Sequence, residues 1–248
     1  MADRLRAMIL EGDYMPGSHL QEVPVAEAMG VSRTPVRAAL AALEREGLLD
    51  YVPKRGFAVR VFSREEIADK YFVRSVLEGA AAGQCARCGI SEADLATLDA
   101  ALADGDRILA GGRLDPDDLP AYRQMNNQFH RTITTASGSA GTADLVRQIG
   151  QIPFLSDRII LWHDYKLIDR SHDDHHRVRD AIATRDPARA EALMREHVSF
   201  MGQVVRRYLS SAAAPEPLRF AAEDASDDTA AAGEAPATSD GAAGEGNT

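Results

Sequence analysis

The sequence predicts a mainly α-helical protein in which a small N-terminal module with a strand hairpin precedes an all-helical bundle. Three observations support this fold class. Residues 1–62 contain two helical patterns separated by Gly30, followed by a hairpin-like stretch. Residues 63–210 repeat helix start signals and apolar residues at helical spacing, and nothing there alternates like a strand for long. Residues 211–248 shift to small and acidic residues.

The N-terminal module is organised around a tight turn between two helices. Gly30 ends the first helical pattern, and Ser32 is a natural N-cap for the second because its hydroxyl can accept an unsatisfied backbone N–H. Val36, Leu40 and Leu43 then recur at helical spacing and are expected to face a core.

The second of these helices opens with Ser32, Arg33 and Thr34. A helix that reads the DNA major groove enters it N-terminus first, so short hydroxyls and arginines belong in its first turns. The pattern therefore predicts a helix-turn-helix.

A hairpin with a basic tip follows Gly47. Two short apolar stretches flank the turn Pro53-Lys54-Arg55-Gly56. Such a turn suits a wing that lies along DNA phosphates, where glycine lets the backbone come close. An ordinary helical hairpin followed by a β-hairpin is the alternative interpretation of the whole module.

The net charge of −10 is unevenly distributed along the 248 residues. Residues 211–248 hold eight acidic residues and one arginine, which accounts for −7. This tail can bury too little apolar surface to fold and is predicted to be disordered. The charges of the remaining residues are nearly balanced, which permits DNA binding through a local basic face. Dimerisation would double this face, and salt should lower its affinity for DNA. Without an apolar run of about 18 residues or a signal peptide, the chain is predicted to be cytoplasmic.

Start and stop signals predict six helices between residues 63 and 210. In order they cover Arg64 to near Gly89, Glu92 to Gly111, Leu119 to about Ala136, Thr142 to His163 with a kink at Pro153, Asp173 to Thr184, and Pro187 to about Ser210.

Cys85 and Cys88 form a lone C-x-x-C pair. A structural zinc site of this type needs four ligands, and the chain has no second cysteine pair. Two incidental helix-end cysteines are favoured over a redox pair.

Three histidines lie on the apolar faces of three different predicted helices. They are His130, His175 and His197. Asn126 precedes His130 by one helical turn, whereas His176 does not share the apolar face on which its neighbour His175 lies. A single inward histidine is usually a hydrogen-bonded core residue. Three together predict a bundle-core site for a first-row divalent ion, with open positions that invite an anionic ligand such as a carboxylate.

The N-terminal segment resembles the winged-helix domain of the GntR family of bacterial transcription regulators. The resemblance rests on Ser32-Arg33-Thr34-Pro35-Val36-Arg37 and Pro53-Lys54-Arg55-Gly56-Phe57 in this order. It implies DNA contacts, which would be made by Ser32, Arg33, Thr34 and Arg37 in the recognition helix and by Lys54, Arg55 and Gly56 in the wing.

The C-terminal histidine motifs resemble the effector-binding domain of the FadR-like subgroup, of the FCD type. This resemblance implies a bundle of six or seven helices and a metal bound by Asn126, His130, His175 and His197, with zinc favoured and nickel or manganese as alternatives. Asn126 stands where metal-binding members usually carry Asp. Arg74 would pair with the carboxylate of a small organic acid, or else would serve as a surface or helix-linking cation.

The leading hypothesis is a homodimeric repressor, not an enzyme, that leaves double-stranded operator DNA when an effector binds in the helical domain. Two alternatives stay open. One is a metal-dependent, hydrolase-like enzyme tethered to a DNA-binding module. The other is a sensor without a metal.

Overall fold

The computed structural model describes residues 1–150 and 165–211 and confirms a mainly helical protein with a winged N-terminal region and a helical bundle. The N-terminal elements are α1 (Ala2–Glu11), β1 (His19–Leu20), α2 (Glu22–Met29), α3 (Arg33–Arg45), β2 (Leu49–Val52) and β3 (Gly56–Val59). The strands form an antiparallel sheet in the order β1-β3-β2. The sequence predicts the β2–β3 hairpin, whereas β1 is two residues long and too short to show a period.

The predicted stripe of α3 is the centre of the N-terminal core. Val36, Leu40 and Leu43 are fully buried and belong to one apolar cluster with α1, α2 and the sheet. Gly30 ends α2 in the left-handed conformation, with φ 66°, which a residue without Cβ adopts at little cost. This core fixes α3 with its opposite, polar side facing outward.

The bundle consists of α4 (Arg64–Cys88), α5 (Glu92–Leu109), α6 (Leu119–Ala136), α7 (Ala140–Ile149), α8 (Tyr165–Ala183) and α9 (Pro187–Leu209), with a 3₁₀ turn at Pro116–Asp118. The predicted capping box starts α4. The Ser63 hydroxyl accepts the Glu66 backbone N–H at 3.1 Å, and the Glu66 carboxylate accepts the Ser63 N–H at 2.9 Å.

Two predicted helix boundaries are wrong. Helix α7 ends at Ile149 instead of His163, because Gly150 is a poor helix former and forms its C-cap; the predicted kink at Pro153 lies outside the described residues. Helix α8 already includes Tyr165, eight residues before the predicted start at Asp173. Ile168 is buried in a small cluster with α5 and α6, and this tertiary packing supports the turns that precede Asp173.

Helices α4 and α9 approach closely through glycines. A Cβ at Gly202 of α9 would lie 2.6 Å from Cβ of Tyr71, and one at Gly83 of α4 would lie 3.2 Å from Cβ of Glu191. This approach brings the middle of α9, with His197, toward the buried face of α4 that carries Glu78.

Within the described residues, no helix combines the length and apolarity that membrane crossing requires. The predicted acidic tail, apart from Ser211, lies outside the described residues.

Candidate metal centre and nucleic-acid interface

The structure brings together the three histidines that the sequence places on apolar helix faces. His130 on α6, His175 on α8 and His197 on α9 point their Nε2 atoms at one another. The Nε2 atom of His175 lies 3.2 Å from Nε2 of His130 and 3.2 Å from Nε2 of His197, and the latter two atoms are 3.3 Å apart. The three ring nitrogens therefore form a nearly equilateral triangle, which we call the histidine triangle.

The dimensions of the histidine triangle fit a tetrahedral zinc ion. Nitrogen ligands about 2.0–2.1 Å from such an ion lie about 3.3–3.4 Å from each other. Three imidazoles whose Nε2 atoms face one point can offer three lone pairs to a cation, which satisfies them better than hydrogen bonding among the rings does.

Burial keeps the imidazoles available as ligands. His175 and His197 are almost fully buried, and His130 is only slightly exposed. Desolvation, followed by the proximity of the other histidines, lowers the pKa of His175 well below its usual value. Desolvation also lowers the pKa of His197, although the nearby Asp174 opposes this effect. Both rings are therefore neutral near pH 7, the state that binds a metal ion.

Glu78 fixes the orientation of His130, and the sequence analysis missed this role. Nδ1–H of His130 donates to the Glu78 carboxylate at 2.6 Å, which turns the lone pair of Nε2 toward the histidine triangle. Burial alone would raise the pKa of fully buried Glu78, but the positive charge of Arg74 and the hydrogen bonds from His130 and Arg74 outweigh this effect and hold the pKa well below its usual range. The sequence signal that could have indicated this role is an acidic residue at a position of α4 whose helical spacing places it on the buried face.

Arg74 pairs with Glu78 within α4. Its Nε donates to the Glu78 carboxylate at 2.9 Å, and its guanidinium carbon lies 5.4 Å from the centre of the Tyr71 ring. The guanidinium thus has a structural role at the edge of the site, and contact with an effector stays a prediction.

Asn126 occupies α6 one helical turn before His130 and is partly buried. This is the position from which a side chain can share a site with His130. Its role as a metal ligand stays a prediction.

A carboxylate also lies behind His197. Oδ2 of Asp174 is 3.8 Å from Nδ1 of His197, just beyond hydrogen-bond length, while Oδ1 of Asp174 accepts from Arg177 at 2.9 Å. Asp174 is buried, so its charge acts on His197 with little screening by solvent.

The predicted recognition residues form one exposed surface at the start of α3. Ser32 is its N-cap residue, and Arg33, Thr34 and Arg37 project on the side opposite the core. Arg37 makes two hydrogen bonds to Glu22 of α2, at 2.6 and 2.8 Å, and Arg33 makes one at 3.2 Å. Contact with Arg37 is the main reason why the pKa of Glu22 is lowered to about 2.

The tip of the wing is a tight turn in which Lys54 and Gly56 have positive φ. Lys54 and Arg55 are exposed, and Lys54 has φ 67°. Gly56 has φ 89°, and a Cβ there would lie 2.9 Å from the carbonyl oxygen of Leu20. Only glycine therefore permits β3 to approach β1 at this point.

Comparisons with known proteins agree with this arrangement. Residues 1–59 match the family of bacterial regulatory proteins named gntR, and residues 69–200 match the FCD domain. The chain belongs to the GntR family. An HTH-type transcriptional regulator from an unstable DNA locus of Streptomyces ambofaciens is 30% identical over 207 residues, which cover 79% of each chain.

One further relative and one solved structure resemble this GntR-family chain. The transcriptional repressor RspR of Escherichia coli is 26% identical over 208 residues, covering 82% of this chain and 86% of RspR. The structure of E. coli McbR/YncC superposes with a TM-score of 0.70 at 19% identity, covering 83% of this chain and 95% of that one, and shows a shared fold. The gntR family, the Streptomyces ambofaciens relative and RspR are transcription regulators, and they give no support to the hydrolase interpretation.

The two cysteines of this GntR-family chain are free thiols in different surroundings. Cys85 is buried, its Sγ lies 3.3 Å from the carbonyl oxygen of Ile133, and burial raises its pKa to about 11. Cys88 is exposed at the end of α4. A thiol that stays protonated is a weak nucleophile, which supports incidental cysteines over a redox pair.

A cavity of about 500 Å³ lies between α5 and α6. Its walls include Ala96, Asp104 and Arg107 from α5 and Gln124 and Gln128 from α6. None of the described residues that line it is a histidine, so this cavity is separate from the histidine triangle.

Proposed function

We propose that this GntR-family chain is a homodimeric repressor that leaves its operator when a small carboxylate binds at a metal ion held by His130, His175 and His197. The observation that carries the proposal is the histidine triangle, whose three edges of 3.2–3.3 Å match the spacing of zinc ligands. The outer carboxylates of Glu78 and Asp174 support the same interpretation, because metal-bound imidazoles are commonly oriented by such partners.

Three imidazoles, with Asn126 as a candidate fourth ligand, suit a first-row divalent ion. Zinc is favoured by the tetrahedral spacing, and nickel and manganese are the alternatives. When bound, the ion supplies an electrophilic centre with an open position for an anionic oxygen ligand. The protein supplies neutral, oriented imidazoles and Arg74 at the edge of the site, where a second carboxylate oxygen could reach it.

Two separate apolar clusters support a division of the chain into two domains. The cluster that includes Leu5, Leu40 and Val59 lies within residues 1–62, whereas the largest bundle cluster begins with Phe62 and includes Leu209. We therefore assign residues 1–62 to DNA binding and 63–210 to effector binding and dimerisation, and 211–248 to an acidic tail.

DNA binding is assigned to the exposed start of α3 together with the wing tip. In a two-fold dimer, two such surfaces match the two halves of a pseudo-palindromic operator. The test is retardation of duplexes from the region upstream of the protein's own gene. Arg37→Ala should weaken operator binding by about 1–3 kcal/mol, and exposed Arg45→Ala, outside the predicted contact set, is the matched control. Failure of the wild type to retard any such duplex at low ionic strength contradicts the proposal.

Metal binding is tested by elemental analysis of the full-length protein after reloading with zinc. We expect His197→Ala to lose about one ion per chain relative to the wild type, while His19→Ala, which changes an exposed histidine on β1, loses none. Equal metal contents in all three proteins would show that the histidine triangle holds no zinc and would favour a sensor without a metal.

A further inference from the structure

A second group of metal-ligating side chains lies on the outer side of α8. Nε2 of His172 is 2.9 Å and Nε2 of His176 is 3.0 Å from the same carboxylate oxygen, Oδ1 of Asp106 on α5. The two imidazole nitrogens are 3.3 Å apart. Three potential ligand atoms from two helices therefore converge on one point, as they do in the histidine triangle.

The local sequence explains the convergence. His172 and His176 are four residues apart, so both imidazoles lie on one face of α8, which is the spacing of paired histidine ligands on a helix. Gly105 precedes Asp106, and a Cβ at this position would lie only 2.2 Å from Cε1 of His172. The glycine therefore allows His172 to press against the backbone of α5 beside the carboxylate.

We propose that Asp106, His172 and His176 form a second divalent-metal site, for zinc or a similar first-row ion. Two imidazole nitrogens and one carboxylate oxygen are ligands that zinc accepts, with water completing the shell. His172 is buried, whereas the side chains of His176 and Asp106 are 39% and 57% exposed, so an ion can reach the site from solvent.

This site is separate from the histidine triangle but shares a helix with it. The ring centres of His172 and His175 are 6.3 Å apart, and no residue belongs to both sets. The histidine triangle joins α6, α8 and α9, whereas the second site joins α5 to α8. An ion in the second site therefore ties α5 to the helix that carries His175, and it does so whether or not the proposed repressor function holds.

The competing interpretation is a hydrogen-bonded cluster in which both imidazoles donate to Asp106. In that case the carboxylate oxygen accepts two hydrogen bonds, and the two ring nitrogens stay in contact without bonding each other. The two interpretations differ in metal stoichiometry, which can be measured directly.

The test uses the full-length protein, stripped with EDTA and titrated with Zn²⁺ against a chromophoric chelator. We expect about two ions per wild-type chain and about one in Asp106→Asn and in His176→Ala. Asp104→Asn removes the same charge from an exposed position of α5 and should keep both ions. Both changed ligands are partly exposed, so the variants should fold, and far-UV circular dichroism checks that they do.

Each outcome decides between the interpretations. Loss of one ion in both ligand variants but not in Asp104→Asn supports the second site. A wild type that binds one ion, with no loss in His176→Ala, overturns it, as does retention of two ions in His176→Ala. A single ion that disappears in His176→Ala but persists in His197→Ala would support the second site while contradicting the metal centre of the proposed function.

Discussion

Glu78 is the residue on which the orientation of His130 depends. It is fully buried, accepts from Nδ1–H of His130 at 2.6 Å and is neutralised by Arg74 at 2.9 Å. Helical spacing could predict that His130, His175 and His197 face inward, because each belongs to a local apolar stripe. It could not predict the Glu78–His130 contact, since the two residues are 52 positions apart on different helices.

We expect Glu78→Gln to weaken zinc binding at the histidine triangle by roughly 10–100-fold, because the amide holds the imidazole less strongly and contributes no negative charge. Competition with a chelator measures the affinity, and circular dichroism confirms the fold. The control is Asp69→Asn, which removes an exposed carboxylate from the same helix. Unchanged zinc affinity in Glu78→Gln would show that the carboxylate has no part in the site.

The carboxylate of Glu22 pairs with both arginines that are assigned to operator recognition. Its carboxylate binds Arg37 twice and Arg33 once on the exposed surface of α3. Glu22→Gln should release these guanidinium groups and remove a negative charge that faces DNA. We therefore expect tighter binding to non-specific duplex and a salt dependence of log Kd that steepens by about 1. Fluorescence anisotropy across a salt series checks this, with exposed Glu27→Gln on the same helix as the control. Weaker non-specific binding would mean that Glu22 positions Arg37 for DNA.

Packing between helices explains which helix boundaries and site residues the sequence predicts and which it does not. The apolar stripe of α3 and the capping box of α4 are local features, and both helices begin where the sequence indicates. The predicted cap of α3 is only partly confirmed, because Ser32 is the N-cap residue but its hydroxyl makes no cap hydrogen bond. The turns of α8 before Asp173 bury Ile168 against α5 and α6, a contact between distant parts of the chain that no local pattern reveals. His172 and His176 went unassigned for the same reason, because their partner Asp106 lies on another helix.

The α4–α9 contact provides a test of the bundle. Gly202→Ala places a methyl group 2.6 Å from Cβ of Tyr71, an atom close to the backbone that cannot move freely. We expect a loss of about 1–3 kcal/mol in the free energy of unfolding, measured in urea. Gly141→Ala on α7, where a Cβ meets nothing within 4 Å, should leave stability unchanged or raise it by up to about 1 kcal/mol. Equal effects of the two changes would contradict the close packing of α4 and α9.

In the whole molecule, the proposed DNA-reading surface lies within residues 1–62, and the histidines of the proposed ligand site lie more than 60 residues further along the chain. The family assignment and the exposed α3 surface establish a DNA-binding regulator. The proposed coupling adds that the effector favours a dimer in which the two recognition helices no longer fit the operator. Thermodynamic linkage then requires operator DNA to weaken effector binding by the same factor by which effector weakens DNA binding.

The most direct test of this central claim is the affinity of the zinc-loaded protein for a carboxylate, measured by calorimetry with and without saturating operator duplex. The carboxylate is the one that most raises the melting temperature of the zinc-loaded protein in a screen. We expect operator DNA to weaken carboxylate binding at least about fivefold, and the carboxylate to weaken DNA binding by the same factor. Equal carboxylate affinities with and without operator DNA would contradict it.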